Sequence, residues 1–259
     1  MVKVLELFSG TGSVGKCCKT LGWEVVSVDM ILPADHKCDI MDFDYKQYDK
    51  DNFDIVWASP PCTNYSALKK CWYGRKLKDG TIYSKEQNIK DQDEADKLVL
   101  KSFEIIDYFN PSLWFMENPQ TGNLKNRDIM KDKPFYDVDY CMYSDWGYKK
   151  RTRVWTNKKD WIGKLCDGSG KCGNMVEIPT DGAVHTGYKT PIKSATRKIH
   201  TNVIGDGNKL KAVRKHKNIL PGSGSQLNQP KDLKFLGKGT NRIDRYRVPS
   251  DLIYSLFMD

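Results

Sequence analysis

The sequence predicts an α/β protein: a doubly wound, mostly parallel sheet with a small, basic, irregular lobe. Three observations lead there. Short apolar runs of strand length alternate with helix-patterned stretches through the first 117 residues. A glycine-bearing turn joins the first run directly to the first helix. The charge is also divided: residues 1–148 carry 19 Lys and Arg against 24 Asp and Glu, whereas residues 149–247 carry 23 against 7. A mildly acidic half joined to a strongly basic segment points to chemistry in the first part and a polyanion held by the second.

The elements follow in order. Val2 to Phe8 is a strand, Ser9 to Gly12 a turn, and residues 13–21 a helix ending near Gly22. Trp23 to Asp29 and Phe53 to Ala58 are further strands. Residues 92–109 form a helix, with Leu98, Phe103, Ile106, Tyr108 and Phe109 at helical spacing before Asn110-Pro111. Ser112 to Glu117 is a strand, and parallel order follows because helices separate the strands. From Asn157 to Gly239 the periodicity fades into Gly, Lys, Thr and Pro. Arg247 to Phe257 is a closing helix whose stripe (Val248, Leu252, Ile253, Leu256) is expected to pack back on the first domain. The expected division is 1–156 as the doubly wound domain, 157–240 as the small basic lobe and 241–259 as the returning helix.

At 259 residues, 39% of them hydrophobic, the chain builds a core, which excludes disorder and a disulfide-stapled miniprotein. Eight unevenly spaced Cys argue against a disulfide framework. No apolar run nears membrane-span length and the start lacks a charged-then-apolar leader, so a soluble, intracellular monomer without membrane contact is expected.

Two motifs carry chemistry. In Phe8-Ser9-Gly10-Thr11-Gly12, glycines let the backbone approach a ligand at a helix N-terminus. Seventeen residues past Gly12, Asp29 stands where an acid accepts ribose hydroxyls, and Asp39 is placed to meet an exocyclic amine, so an adenosine-containing cofactor is expected. In Ala58-Ser59-Pro60-Pro61-Cys62-Thr63-Asn64-Tyr65-Ser66, two prolines stiffen the backbone and project a thiol from the sheet's C-terminal edge. A thiol in a basic environment forms thiolate and attacks carbon.

With these residues in view, the chain resembles the DNA (cytosine-5) methyltransferases, and its compact build is similar to viral or phage members. Phe8 to Gly12 matches the family's S-adenosylmethionine turn, Pro61-Cys62 with Tyr65-Ser66 its nucleophile loop, Glu117-Asn118-Pro119 its Glu-Asn motif, and Lys149 to Trp155 its paired-arginine motif. The chain departs from the family at Asp29 (usually Glu), Thr63 (Gln), Pro119 (Val) and Lys149 (Gln).

The resemblance implies a Rossmann-like, S-adenosylmethionine-dependent fold acting on cytosine in duplex DNA. Cytosine C5 is too weak a nucleophile to take a methyl group, so Cys62 adds to C6 and makes C5 enamine-like. Glu117, as a protonated acid, donates to N3; Arg153 contacts O2, with Arg151 in support. The base is extruded from the duplex first. The implied cofactor set is Phe8, Ser9, Gly10, Thr11, Gly12, Asp29, Met30, Asp39, Ile40, Pro60 and Leu98. The implied DNA contacts are Thr63, Asn64, Ser66, Lys149, Lys150, Lys193, Arg197, Lys198, Arg214 and Lys215, with the polar loop Gly222 to Asn228 available for a groove.

Two rivals stand beside this reading. An amino-methyltransferase acting on N4 of cytosine or N6 of adenine also suits Ser59-Pro60-Pro61, but wants an aromatic side chain where Cys62 stands. A catalytically inactive nucleic-acid-binding protein on the same fold would have no reason to keep Cys62, Glu117 and Arg153 together. Cys166, Cys172 and His185 are a candidate zinc set, but five residues separate the two Cys and no fourth ligand is evident, so the sequence reading assigns no metal.

Overall fold

A computed structural model describes residues 1–179, 196–201 and 243–259. Apolar runs become strands β1 (Lys3–Leu7), β2 (Glu24–Val28), β3 (Ile55–Ala58) and β4 (Leu113–Pro119), followed by β5 (Phe135–Asp139) and β6 (Arg151–Thr156). Six strands form one sheet in the order β2-β1-β3-β4-β6-β5. β1 pairs in parallel with β2 and β3, and β3 with β4; β6 runs antiparallel to β4. The strand order changes direction at β1, so a crevice opens beyond the carboxyl ends of β1 and β3, the usual ligand position in such sheets.

Among the described residues, three helices serve the sheet: α1 (Ser13–Thr20), α2 (Lys85–Phe109) and α3 (Ser250–Met258). α2 starts seven residues earlier than hydrophobic periodicity predicts, because Ser84 caps it: its hydroxyl accepts the Gln87 N–H at 3.1 Å. Its end is set by Asn110 in the left-handed region (φ 44°) ahead of Pro111. Val99, Phe103, Ile106 and Phe109 of α2 pack with Leu5, Leu7, Val56, Ala58, Met116 and Trp155 of the sheet. On another part of the sheet, Phe257 of α3 stacks at 5.5 Å from Phe115 and 6.2 Å from Trp57, and Trp23 lies 5.6 Å from it. The Val248 amide also donates to the Ser13 hydroxyl at 3.2 Å, and Trp161 Nε1 to Ser255 at 3.0 Å.

Two compact units are present. The first comprises residues 1–138, 151–164 and 247–259; the second comprises 139–150 and 165–246. The sequence reading places one break near 156, whereas the second unit takes up residues 139–150 and the first continues to 164. The described part of the second unit contains the antiparallel hairpin β7 (Met175–Pro179) and β8 (Thr196–His200). No helix among the described residues is long and apolar enough to cross a membrane.

Candidate active site

The turn after β1 is built by backbone geometry. Phe8, Gly10 and Gly12 all have positive φ (56°, 54° and 66°), a conformation glycine adopts freely and Phe8 holds at a cost of about 1–2 kcal/mol. Strain of this kind concentrates at ligand-binding turns. Asp29, just beyond β2, fixes the turn: one carboxylate oxygen accepts the Gly10 amide at 2.8 Å, the other the Ile31 and Leu32 amides at 2.8 and 2.7 Å. Three backbone donors thus hold a side chain that sequence spacing assigns to a ribose. Asp39 caps its own turn by accepting from the Met41 amide at 2.9 Å, Ile40 and Pro60 are buried, and Met30 is exposed. Leu98, in mid-α2, packs against the sheet core.

These residues fit a polar, adenosine-type ligand. The Ser9 hydroxyl is buried without a hydrogen-bond partner among the described residues, and a Cβ at Gly12 would meet nothing within 4 Å.

Glu6 lies behind the turn, a residue the sequence reading passes over as one more strand position. It is 3% exposed, and its two oxygens accept the Val14 and Gly15 amides of α1 at 3.2 and 3.0 Å. Burial pushes its carboxyl up to about 7, with the two amide bonds pulling the other way. A raised carboxyl pKa adds stability that is complete below the unfolded value, about 4.5, and is lost as pH climbs through about 7. Relative to Glu6→Gln, the wild-type protein is therefore expected to lose roughly 3 kcal/mol between those limits, at most about 1.4 kcal/mol per pH unit. Urea unfolding of both proteins from pH 5 to 8 checks this; parallel stability curves would refute it.

The prolyl-cysteine loop leaves β3 at the same edge. Cys62 precedes a short 3-10 turn, Thr63–Tyr65, and is half-buried, while Thr63 is exposed. Several bonds hold this loop. The Asn118 amide donates to the Pro60 carbonyl at 2.9 Å in a buried position. Tyr65 donates its hydroxyl to Asp96 of α2 at 2.8 Å, and Asp96 in turn receives Arg127 Nε at 2.7 Å. The Asn123 amide N–H donates to the Tyr65 carbonyl at 2.7 Å. Burial and the Asp96 acceptor push the Tyr65 phenol far up, so it stays a donor. Asn64 and Ser66, expected to face DNA, are engaged locally: Asn64 accepts from Lys69 Nζ at 2.7 Å and Ser66 from the Leu68 amide at 3.3 Å.

Asn118→Ala is expected to leave the Pro60 carbonyl unsatisfied, costing about 1–3 kcal/mol of stability. A loosened nucleophile loop is further expected to lower kcat roughly 10- to 100-fold while the donor KM holds, since small misplacements cost that much. Steady-state kinetics on the refolded-state-matched variant reads the split; a normal kcat with a raised KM would contradict it.

Glu117, 7% exposed, lies two residues before the end of β4, beside Asn118. The register sets Glu117 opposite Val154 and Asn118 opposite Arg153. Opposed residues share a face and faces alternate along a strand, so Glu117 and Arg153 project to opposite sides of the sheet. Arg153 instead forms a fork with Asp137, Nε at 2.7 Å and a terminal nitrogen at 2.9 Å, and its guanidinium lies 3.5 Å from the Phe135 ring centroid. Arg153 is thus engaged with Asp137 in this arrangement. Arg151 begins β6 at the edge, where its carbonyl accepts the Gln120 amide at 3.1 Å.

Several expected DNA contacts also have other duties. Lys149 donates to the Cys166 carbonyl at 2.8 Å and lies 3.4 Å from the fully buried Asp139 carboxylate, which requires a nearby cation. Lys150 donates to the Arg245 carbonyl at 3.2 Å and lies over the Tyr140 ring, and Lys198 donates to the Ser169 carbonyl. Arg197 lies on β8. Lys193, Arg214, Lys215, His185 and the loop Gly222 to Asn228 lie outside the described residues.

A parallel α/β sheet with a glycine turn after β1, an acid after β2, a prolyl-cysteine loop after β3 and Glu-Asn ending β4 defines a Rossmann-like, class I methyltransferase. A Frog virus 3 (isolate Goorha) protein described as "Probable DNA (cytosine-5)-methyltransferase" is 40% identical over 183 residues, spanning 70% of this chain and 82% of that protein. The chain belongs to the DNA (cytosine-5)-methyltransferase family. No family model matches it. Among solved structures it is similar to the Entamoeba histolytica methyltransferase EhMeth (17% identity, TM-score 0.43, 64% of this chain and 57% of that one). It is also similar to the S. pombe Dnmt2 methyltransferase (11% identity, TM-score 0.39, 63% and 51%). The chain spans about half the length of these solved structures.

Proposed function

We propose that this protein transfers a methyl group from S-adenosylmethionine to C5 of cytosine in duplex DNA, as a monomer. The observation that carries the reading is the buried Asn118 to Pro60 hydrogen bond, which fastens the Cys62 loop to the strand end bearing Glu117. A nucleophile and an acid supported from one edge suit addition across a pyrimidine ring, and membership of the family supports the same chemistry.

The turn Phe8 to Gly12, with Ser9 and Asp29, holds the donor, which supplies an electrophilic methyl group on a sulfonium sulfur. The Cys62 thiolate adds to C6 of the extruded cytosine, and the C5–C6 electron pair becomes available at C5. Glu117 gives a proton to N3 as negative charge develops there. Arg153 is a positioning residue that holds the strand carrying Asp137 against β6, and Arg151, two residues before it, lies on the same face of β6. The C5–CH3 bond forms as the donor's S–CH3 bond breaks, its sulfur keeping the electron pair. The C5 proton then leaves to a base, its electron pair restores the C5–C6 double bond, the C6–S bond breaks to return the Cys62 thiolate, and N3 gives its proton back to Glu117. The basic segment 157–240 serves as the target-recognition lobe, a role supported by its excess of Lys and Arg.

The test is incubation of the protein with isotope-labelled S-adenosylmethionine and duplex DNA, followed by digestion to nucleosides and mass spectrometry. Label in 5-methylcytosine is expected. Label in N4-methylcytosine or N6-methyladenine assigns the protein to the amino-methyltransferases, and absence of label from any nucleoside while DNA is bound assigns it to the binding proteins.

A further inference from the structure

In the second compact unit, four side chains from three stretches of chain converge: Cys141, Cys166, Cys172 and His200. Their ligating atoms all lie within 4.8 Å of one another, and His200 Nε2 is 3.8 Å from both the Cys166 and the Cys172 sulfur. We propose that these four residues bind one zinc ion as a structural Cys3His site.

The distances fit. Zinc bonds of about 2.3 Å to sulfur and about 2.0–2.1 Å to nitrogen, at tetrahedral angles, place sulfur and nitrogen about 3.6 Å apart. His200 Nε2 is about 0.2 Å farther than that from each of its two sulfurs, and the widest pair of ligating atoms, within 4.8 Å against about 3.8 Å for two zinc-bound sulfurs, closes by up to about 1 Å through rotamer changes. Three thiolates and an imidazole are the soft donors zinc takes in closed structural sites, with no position left for substrate. Zinc with three thiolates carries a net charge of −1, and Lys149 Nζ, bonded to the Cys166 carbonyl, supplies a cation beside it.

The surrounding backbone is organised to present these groups. Asn174, 5% exposed, places its amide nitrogen 2.8 Å from the Cys141 carbonyl, 2.7 Å from that of Ser144 and 2.9 Å from that of Cys172, while its oxygen accepts the Gly147 amide at 2.8 Å. One side chain thus ties two of the ligand-bearing segments together. The loop from Cys166 to Cys172 reverses through Gly168 and Gly170, both in the left-handed region (φ 81° and 96°). The third segment is the hairpin: β8 ends at His200, paired with Met175, and the Thr201 amide donates to the Asn174 carbonyl at 3.0 Å. The buried Asp139 carboxylate accepts the Cys166 amide at 2.8 Å. A metal here would staple three stretches of a small lobe, the role such ions play where a core is thin.

Sequence spacing overlooks this set because it looks for neighbours. Cys141 lies 25 residues before Cys166 and His200 lies 28 after Cys172, across a hairpin whose pairing no local pattern announces.

The test is metal analysis of the full chain, expressed with zinc and purified under reducing, anaerobic conditions. About one zinc per chain is expected, falling to below about 0.2 in Cys172→Ser and in His200→Ala, with Cys71→Ser, an exposed thiol outside the cluster, retaining the wild-type content. Because a ligand variant can fail to fold, wild-type protein stripped of zinc is also titrated with cobalt(II). One equivalent is expected to produce sulfur-to-cobalt charge transfer and the intense visible absorption of a tetrahedral centre. Zinc-free wild-type protein that gives no such spectrum, zinc retained in both ligand variants, or a disulfide between two of the three Cys on peptide mapping would each overturn the assignment.

Discussion

Cys62→Ser is expected to abolish covalent capture of DNA containing 5-fluorocytosine and to lower methyl transfer by roughly four orders of magnitude. The thiol does what a hydroxyl does not at neutral pH: a useful fraction ionises, and the soft anion adds to C6. Without that adduct C5 lacks the electron density to take a methyl group. Fluorine at C5 does not leave as a proton does, so the wild-type protein is expected to stay bonded to the fluorinated base and to migrate with DNA under denaturing conditions. Donor affinity, which the proposed function assigns to the turn between β1 and α1, is expected to change by less than about threefold, since Cys62 belongs to the loop after β3. An active wild-type enzyme that forms no adduct, or a Cys62→Ser protein that still forms one, would remove Cys62 from the nucleophile's role.

Gly15→Ala is expected to have the largest effect on stability, about 2–3 kcal/mol, with the Tm lowered by roughly 5–10 °C. A Cβ on Gly15 would stand 2.8 Å from Glu6 Oε2 and 3.3 Å from Val25 Cγ1. The carboxylate is the far end of a side chain, but it does not move away freely, because that same oxygen accepts the Gly15 amide and its partner accepts the Val14 amide. Retreat breaks both bonds in a buried place, at about 1.5–2 kcal/mol each for a partly ionised acceptor, against a helix-propensity gain of about 1 kcal/mol. Gly12→Ala is the informative contrast: its Cβ meets nothing, so the cost is the left-handed strain alone, about 1–2 kcal/mol. Thermal unfolding of the two variants compares them; equal losses would show that contact with Glu6 does not govern position 15.

The parallel part of the sheet was legible because each strand is a short apolar run closed by a turn residue with a physical reason to be there. Gly10 and Gly12 after β1 and the prolines after β3 are such residues, and the same local signals expose Cys62 and Glu117. What escaped depends on contacts between distant stretches. Asn118 reaches Pro60 across 58 residues, and Arg153 reaches Asp137 from a neighbouring strand, so a basic run that looks like a solvated patch becomes β6 in the middle of the sheet. Glu6 escaped for another reason: in an apolar strand it reads as a solvent-facing position, and only the start of α1 overhead explains its burial. The beginning of α2 was missed because its first turns, Lys85 to Asp91, are polar and its cap, not its periodicity, marks the start.

The packing of α3 sets a constraint on biosynthesis. Phe257 closes over Phe115 and Trp57, and Leu252, Ile253 and Leu256 are buried, so a ribosome has to translate through residues 250–258 before those aromatic rings are shielded. Until then the nascent chain, with the whole basic segment already synthesised, carries a sticky aromatic surface on its uncovered sheet. A message cut short anywhere before codon 250 would yield a chain prone to aggregation and chaperone capture rather than a smaller working enzyme.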